Sequence, residues 1–263
     1  MTTYSLVTGA CGGIGKAFCT QLALRGENLI VLGRNEDKLK SLREELLALN
    51  PSISVIDKVV DLTDNSSISE CFSYFLANGI TLSGLYLVAG VDTRKAFTKY
   101  TASKIEMQSR VNFESAVTLT RLSLDIRAEE FKILVVSSAC GLTPMPYFSL
   151  YSATKSALIY FFKGLKTELK GQRVKITVVC PGSVPTREDI IEDIKSQGLQ
   201  GKLSKIESEK VAIKSLKALT RNKTVFIPGL YNKMVAFISK LTPYAIKSRV
   251  IAKKFKNKVK DAF

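Results

Sequence analysis

The chain has 263 residues, 46% of them hydrophobic and 24% charged, so it can bury one large core or two small ones. No run approaches the roughly eighteen apolar residues of a membrane-spanning helix, and a first strand near Tyr4 leaves no room for a signal peptide. The net charge is +16, the five cysteines lack Cys-x-x-Cys spacing, and histidine is absent, so no metal site is expected. These features predict a reduced, cytoplasmic protein built on one α/β domain.

The chain opens with an apolar strand that runs into a glycine-rich turn, and a helix is predicted over residues 16–25. Gly9, Gly13 and Gly15 would let the backbone approach a pyrophosphate, which the amides at the helix N-terminus can bind. The spacing is G-x-x-x-G-x-G rather than the better-known G-x-G-x-x-G. Three glycines alone fit a plain tight turn equally well, but their place between a first strand and a first helix favours a dinucleotide site.

The end of the second predicted strand, residues 28–32, indicates which dinucleotide is bound. An acidic residue there would hold the ribose 2′-hydroxyl of NAD, whereas this chain has Gly33 followed by Arg34. A guanidinium suits a 2′-phosphate, so NADP is favoured and NAD is the second choice. A solvated arginine at the start of the next helix is the plainer alternative, and Glu36 and Asp37 lie close by.

Strands and helices alternate along the rest of the chain. Further strands are predicted at 54–60, 84–89, 131–136, 175–179 and 224–227, helices at 36–50, 102–124 and 151–170, and a loop at 91–100. This alternation predicts an α/β fold, a Rossmann-type doubly wound parallel sheet of about seven strands with helices on both faces. After the third strand, Asp61 could approach the adenine or cap the next helix. The polar segment 187–208, with Gly198 and Gly201, suits a mobile lid.

The stretch from Ser138 to Lys155 carries the residues for proton transfer. Ser138 closes a predicted strand, and Tyr151 and Lys155 are four apart on the next predicted helix, so they share one face. A phenol, a neighbouring cation and a second hydroxyl form a proton-transfer site. The other tyrosine–lysine pair, Tyr100 and Lys104, has no strand-end serine upstream and is set aside.

Together these motifs resemble those of the short-chain dehydrogenase/reductase family over about residues 3–230. In order, they are Thr8-Gly9-x-x-x-Gly13-Ile14-Gly15, Asp61, Ala89-Gly90, Asn112, Ser138, Tyr151-x-x-x-Lys155 and Pro181-Gly182-x-Val184-x-Thr186. One departure is that the family's usual Asn-Asn-Ala-Gly turn is Leu87-Val88-Ala89-Gly90 here, which removes two polar side chains that help brace the central strand.

The resemblance implies hydride transfer between a nicotinamide and a carbonyl or secondary alcohol. Tyr151 would donate a proton to the carbonyl, its pKa lowered by Lys155 and by the positive nicotinamide of the oxidised cofactor. Lys155 would also hold the nicotinamide ribose, Ser138 would orient the carbonyl, and Asn112 would support a water that feeds protons towards Lys155. Cofactor contacts are implied for Thr8, Gly9, Gly13, Ile14, Gly15, Arg34, Asp61, Leu62, Ala89, Gly90, Tyr151, Lys155, Pro181, Gly182, Val184 and Thr186.

The candidate substrate wall is mostly apolar and consists of Val91, Leu142, Met145, Tyr147 and their neighbours. It favours a hydrophobic carbonyl or alcohol, such as a ketoacyl chain, a steroid or a xenobiotic ketone. The same residues could be core or a subunit contact, and a homo-oligomer is expected. The alternative function is a cofactor-binding interaction protein with a silent redox site.

Residues 231–263 are predicted to form a basic, amphipathic helical extension of a catalytic domain at 1–230. Residues 233–263 hold nine Lys or Arg against one acid, a net of +8, and Pro243 splits their apolar residues into two segments. Such helices could lie on an anionic membrane surface, or they could pack on the domain or on a second subunit. Packing is slightly favoured because no flexible linker precedes them. No nucleic-acid partner is expected, since no recognition module accompanies the charge.

Overall fold

A seven-stranded parallel sheet organises the chain in a computed structural model, which describes residues 2–256 and 259–261. The sheet order is β3-β2-β1-β4-β6-β7-β8, and a separate two-stranded sheet pairs β5 with β9. The strands are β1 (Thr3–Thr8), β2 (Asn28–Gly33), β3 (Val55–Val59), β4 (Thr81–Leu87), β5 (Thr93–Arg94), β6 (Arg127–Val136), β7 (Val174–Val179), β8 (Val225–Phe226) and β9 (Lys260–Asp261).

Helices cover both faces of the large sheet. They are α1 (Gly13–Ala23), α2 (Glu36–Leu49), α3 (Asn65–Ala77), α4 (Ala102–Ser109), α5 (Ser115–Asp125), α6 (Ser149–Glu168), α7 (Glu188–Ser196), α8 (Gly198–Ser204), α9 (Ser208–Thr220), α10 (Leu230–Leu241) and α11 (Tyr244–Phe255). A π-helical segment (Arg110–Glu114) joins α4 to α5, and 3-10 turns lie at Phe97–Lys99 and Ala139–Leu142.

Two apolar cores lie on the two faces of the sheet, because successive side chains of a strand point to opposite sides. On β6, Ile133 and Val135 belong to one core, whereas Leu134 and Val136 belong to the other. Strands buried on both faces read as continuous apolar runs, which is why the sequence predicted the central strands. The predicted Rossmann-type doubly wound sheet is confirmed.

Two local predictions differ from the structure. The loop predicted at 91–100 contains β5, which forms only because β9 from the far end of the chain pairs with it. The single helix predicted at 102–124 is interrupted by the π-helical segment around Asn112. The segment 187–208 folds mostly into α7 and α8, and its movement as a lid stays a prediction.

No helix in residues 2–256 and 259–261 is both long and apolar enough to cross a membrane. All five cysteines are free thiols. β1 lies between β2 and β4, and the chain winds to opposite sides of the sheet from this point. In open sheets of this kind, a ligand crevice forms outside the carboxyl ends of the strands at such a switch point.

Candidate active site

A cleft of about 570 Å³ lies at the carboxyl ends of β1, β2 and β4, in front of the N-terminus of α1. It is lined by Gly9, Cys11, Gly12, Gly13, Ile14, Gly15, Leu32, Gly33, Arg34, Lys38, Val60, Asp61, Leu62, Val88, Ala89, Gly90, Val91, Val111, Thr186 and Arg187. Gly9 has a φ of +62°, where an added Cβ would also lie 2.9 Å from the Cα of Ala89. A side chain there would be strained and would clash, so the turn requires glycine.

Ten of the residues implied as cofactor contacts line this cleft: Gly9, Gly13, Ile14, Gly15, Arg34, Asp61, Leu62, Ala89, Gly90 and Thr186. Others shape the surrounding backbone instead. The carbonyl oxygen of Pro181 accepts a bond from the Ala139 amide (2.8 Å), Gly182 packs against Asn232, and Val184 is a buried core residue. Their direct contact with a cofactor stays a prediction.

Thr8 holds the turn after β4, where the family usually has two asparagines. Its hydroxyl oxygen accepts bonds from the amides of Val88 (3.0 Å) and Ala89 (3.1 Å). The threonine therefore holds the turn after β4 in place by itself. The turn stays fixed although its first two residues, Leu87 and Val88, are apolar.

The end of the cleft beside β2 is basic. Arg34 and Lys38 both line it, and Lys38 was missed by the sequence analysis although it lies only one helical turn beyond Arg34. The Asn35 side chain caps α2 by accepting a bond from the Lys38 amide (2.8 Å), which fixes the start of that helix. Glu36, the acid that weakened the NADP prediction, pairs with Lys40 (2.7 Å) and does not line the cleft.

Asp61 lies at the cleft and does not cap the next helix. Its carboxylate accepts bonds from the amide and the hydroxyl of Thr63, both at 2.8 Å. The cap of α3 is Asp64, whose carboxylate accepts a bond from the Ser66 amide (2.9 Å). Asp61 therefore lines the cleft and does not cap α3, and its contact with the adenine stays a prediction.

Ser138, Tyr151 and Lys155 converge at the carboxyl end of β6. The neighbouring Ser137 hydroxyl donates to the carbonyl oxygen of Lys155 (2.7 Å), which ties this strand end to α6. The Ser138 side chain acts to lower the pKa of the nearby Tyr151 hydroxyl, and the Ser138 hydroxyl oxygen accepts a bond from the Cys140 amide (3.1 Å). The predicted grouping of a phenol, a cation and a second hydroxyl is therefore present.

Lys155 is almost fully buried, and its ammonium donates to the carbonyl oxygen of Val136 (2.9 Å). Its Nζ lies 5.8 Å from the centre of the Tyr151 ring. Burial lowers the pKa of Lys155 to about 8, while the Asp92 carboxylate and Cys180 act in the opposite direction. The group is thus a cation at neutral pH that loses its charge at only slightly alkaline pH.

Burial raises the pKa of the Tyr151 phenol above its usual range, although the Ser138 hydrogen bond and Arg187 oppose the shift. In the protein without its cofactor, desolvation penalises the phenolate more than these neighbours stabilise it. The expected lowering of the pKa by Lys155 and an oxidised nicotinamide stays a prediction. The Tyr151 ring is held in place by Phe148, whose ring stacks on it with centroids 4.4 Å apart.

Asn112 is buried in the π-helical segment, an irregularity that is frequent at functional sites. Its amide exchanges two bonds with the backbone of Val91 (2.8 and 2.9 Å) and donates to the Thr154 hydroxyl (3.1 Å). An added Cβ at Gly90 would lie 2.9 Å from the Lys155 Nζ and 3.4 Å from the Asn112 Oδ1, so the two side chains meet behind this glycine. Asn112 therefore joins the loop after β4 to α6, and its role in supporting a water stays a prediction.

Two ion pairs connect the α7 segment to the loop after β4. Arg187, which lines the cleft, pairs with Asp92 (2.6 Å) and with Asp189 (3.1 Å). Arg94 pairs with Asp193 (3.1 Å). The sequence analysis missed these residues, because nothing in the local sequence brings positions about 95 apart together.

The four candidate substrate residues fall in two places. Val91 is buried and lines the cleft. Leu142 is partly exposed in the turn after Ser138, and Met145 and Tyr147 follow it as half-buried residues before α6. Tyr147 has a φ of +63°, a conformation that is strained for a bulky side chain and recurs near active sites.

The residues fit a nicotinamide dinucleotide. The cleft volume is in the range of ligand pockets, and Gly13 and Gly15 present the first backbone amides of α1 to it, where phosphates bind. An added Cβ at Gly13 would lie 2.8 Å from the Thr186 side chain, so only a bare backbone fits there. Such a cofactor supplies or accepts a hydride when bound.

Residues 3–194 match the model of the family described as short chain dehydrogenase. The chain belongs to this family. It is a short-chain dehydrogenase/reductase, an oxidoreductase of a family that binds NAD(P).

Two relatives show the extent of the similarity to other short-chain dehydrogenases. The chain is 32% identical to the human 17-beta-hydroxysteroid dehydrogenase type 3, over 71% of this chain and 60% of that protein. It is 31% identical to the very-long-chain 3-oxoacyl-CoA reductase of Anas platyrhynchos, over 70% of this chain and 60% of that protein. The chain thus spans about three fifths of the length of these two relatives.

A solved structure of a 7beta-hydroxysteroid dehydrogenase superposes with a TM-score of 0.85 at 22% identity. The superposition covers 95% of this chain and 96% of that one. It supports the fold over nearly the whole length of the chain.

A first prediction concerns the dependence of this short-chain dehydrogenase on pH. The rate of ketone reduction should fall as the pH rises through about 8, because Lys155 then loses its proton. The Asp92 carboxylate raises the pKa of Lys155, so Asp92→Asn should move the alkaline limb of the pH–rate profile to lower pH. Asp189→Asn is the matched control, since it also removes a carboxylate from Arg187. Superimposable profiles for the wild type and Asp92→Asn would contradict this reading.

Proposed function

We propose that the protein is an NADP-dependent oxidoreductase that transfers hydride between the nicotinamide and a carbonyl or secondary alcohol of a hydrophobic substrate. The observation that carries the choice of NADP is the pair of cations, Arg34 and Lys38, at the β2 end of the cleft. The acid next to them, Glu36, is paired elsewhere with Lys40. Two cations can bind a 2′-phosphate, whereas a neutral or acidic strand end cannot attract one.

Tyr151, Ser138 and Lys155 would do the proton chemistry. NADPH supplies the hydride. The Ser138 hydroxyl is placed to hold a carbonyl oxygen beside the Tyr151 hydroxyl, which donates its proton to that oxygen as the alcohol forms. Lys155 holds a positive charge behind the tyrosine and makes its anion less costly.

The protonated form of Tyr151 is the one that donates to a carbonyl oxygen, whereas oxidation of an alcohol needs the phenolate. In the protein without its cofactor, burial raises the pKa of this phenol, so the resting protein holds the protonated form at neutral pH.

A hydrophobic substrate suits the side chains near the proton donor. Val91, Leu142, Met145 and Phe148 are apolar, and Phe148 stacks on the catalytic tyrosine. By its name, the human relative acts on a hydroxysteroid, and the Anas platyrhynchos relative reduces a very-long-chain 3-oxoacyl-CoA. Both are large, mostly apolar molecules with a carbonyl or hydroxyl group to be converted.

The choice of cofactor is tested by measuring dissociation constants for NADPH and NADH. NADPH should bind more tightly, and added salt should narrow the difference because part of the attraction is between exposed charges. Arg34→Ala should weaken NADPH binding by about 10- to 100-fold and leave NADH binding nearly unchanged. Arg25→Ala, which removes an exposed arginine outside the cleft, is the control. Tighter binding of NADH by the wild type would refute the proposal.

The substrate class is tested by following NADPH consumption with a panel of ketones. Ketosteroids and long-chain 3-oxoacyl thioesters should react with higher kcat/KM than small polar ketones. If the protein bound NADPH but reduced no ketone of the panel, the proposal would fail and a cofactor-binding interaction protein would be favoured instead.

A further inference from the structure

We propose that the outer face of α10 and α11 docks onto an anionic lipid bilayer. This face, called here the tail face, consists of nine large apolar side chains within residues 230–250, each at least 40% exposed. They are Leu230, Met234, Val235, Phe237, Ile238, Leu241, Tyr244, Ile246 and Val250. Exposed apolar residues are ordinary when scattered singly, but a row of them along one side of a helix indicates a contact with a partner or a membrane.

The spacing within α10 shows that these residues form one surface. Leu230, Met234, Phe237, Ile238 and Leu241 follow one another at intervals of three, four or one, which place them on a single side of a helix. Leu230 is 84% exposed, although it is among the most apolar of the residue types. The helix is therefore amphipathic with its apolar side turned outward.

The side of α10 that faces the domain is polar or small. Asn232 is the buried residue of this helix, and its side chain donates to the carbonyl oxygens of Ser204 and Pro228, both at 3.1 Å. Ala236 and Ser239 on the same side are half-buried. The helix is thus fastened to the domain by hydrogen bonds and leaves its apolar residues uncovered. The expected packing of the tail's apolar stripe on its own domain is wrong for these residues.

Basic side chains border the tail face. On α10, Lys233 and Lys240 are exposed beside the apolar stripe, and on α11 Arg249 and Lys253 are exposed beside Ile246 and Val250. Amphipathic helices with an apolar face flanked by lysines and arginines lie in the interface of membranes that contain anionic lipid. The charge and the apolar area therefore point to the same partner.

Charge argues against a second copy of this chain as the occupant. A symmetric dimer would bury the tail face of one copy against the tail face of the other. The interface would then bring two sets of basic side chains together. Like charges brought together across an interface oppose association. A bilayer with phosphate and carboxylate headgroups supplies the opposite charge.

The tail face lies near the site of catalysis. α10 packs beside the Ala139–Leu142 turn that follows Ser138, and Leu142 is itself partly exposed. α8, which α10 also contacts, exposes Leu199 and Leu203. A bilayer bound to the tail face would therefore lie near the turn that follows Ser138, which belongs to the proposed active site. This last step rests on the proposed function, whereas lipid binding itself does not.

Vesicle sedimentation with the full chain tests the proposal. The protein should pellet with vesicles of phosphatidylcholine and phosphatidylserine at low salt, less so at high salt, and hardly at all with phosphatidylcholine alone. The double variant Phe237→Glu/Leu241→Glu should lose at least tenfold in vesicle affinity. The control Leu24→Glu/Leu76→Glu adds the same charge at side chains that are 56% and 64% exposed elsewhere, and should bind like the wild type. NADPH binding reports that each variant is folded, whatever its ketone activity.

A pair of charge reversals separates the tail face from the general basicity of the protein. Lys240→Glu/Lys253→Glu should weaken vesicle binding more than Lys170→Glu/Lys175→Glu, although both variants change the net charge by the same amount. No pelleting of the wild type at low salt, or equal losses in the two members of either pair, would overturn the proposal. So would a dimer in lipid-free sedimentation velocity that Phe237→Glu/Leu241→Glu dissociates while vesicle binding is absent.

Discussion

Tyr151→Phe should lower the kcat for ketone reduction by about a thousandfold or more, because general acid catalysis by one positioned group is worth about 10² to 10⁴. The ring of Phe at this position keeps its stacking partner Phe148 and loses only the hydroxyl that Ser138 contacts. The dissociation constant for NADPH should change little. Steady-state kinetics together with a fluorescence titration of NADPH measure the two quantities.

Tyr160→Phe is the control for this substitution. Tyr160 lies on the same helix, α6, and its ring is exposed to solvent, so removal of its hydroxyl should leave kcat unchanged. A Tyr151→Phe enzyme that kept a tenth or more of the wild-type kcat would show that another group donates the proton.

Lys155→Met should lower both turnover and cofactor affinity. The substitution removes a buried cation that lies behind Tyr151 and approaches Asn112 behind Gly90, where we expect the nicotinamide to bind. We expect a loss of about 10² to 10⁴ in kcat/KM, since the proton donor loses the charge that stabilises its anion. The alkaline limb near pH 8 should disappear from the residual activity, because the group that titrates there is gone.

Lys166→Met is the control for Lys155→Met. Lys166 is also on α6, and its ammonium donates to the carbonyl oxygens of Ile176 (3.0 Å) and Asn222 (2.6 Å). Burial lowers the pKa of Lys166 as it does that of Lys155. Both variants lose a lysine that bonds to backbone carbonyls, so both lower stability. Only Lys155→Met should lower turnover strongly, and a similar kinetic defect in Lys166→Met would show that the effect comes from the folding of α6.

The centre of the site could be predicted because its residues are set by local structure. Ser138 ends a buried strand, and Tyr151 and Lys155 share a face of the following helix, so the chain itself fixes their approach. The apolar runs of the strands likewise fixed the sheet, since each is buried on both faces. The structure agrees with the sequence on these points.

The parts that could not be predicted depend on contacts between distant segments. Arg187 meets Asp92 across 95 positions of sequence, and β5 exists only through its pairing with β9. The raised pKa of Tyr151 in the protein without its cofactor depends on burial, which no spacing rule reports. The outward orientation of the apolar side of α10 also needed coordinates, since an amphipathic helix looks the same in sequence whichever side faces the core.

The last turn of α11 is connected to the α7–α8 segment and to β5. The Lys254 ammonium donates to the side chains of Gln197 (2.9 Å) and Gln200 (3.1 Å), and the Arg94 guanidinium lies 5.0 Å from the centre of the Phe255 ring. The last turn of α11 and the α7–α8 segment therefore share contacts, and opening one of them breaks contacts of the other. If a ligand that holds one element in place raises the affinity for a ligand of the other element, then by linkage the second ligand raises the affinity for the first by the same factor. Hydrogen exchange should then show α7 and α11 becoming protected together when NADPH binds.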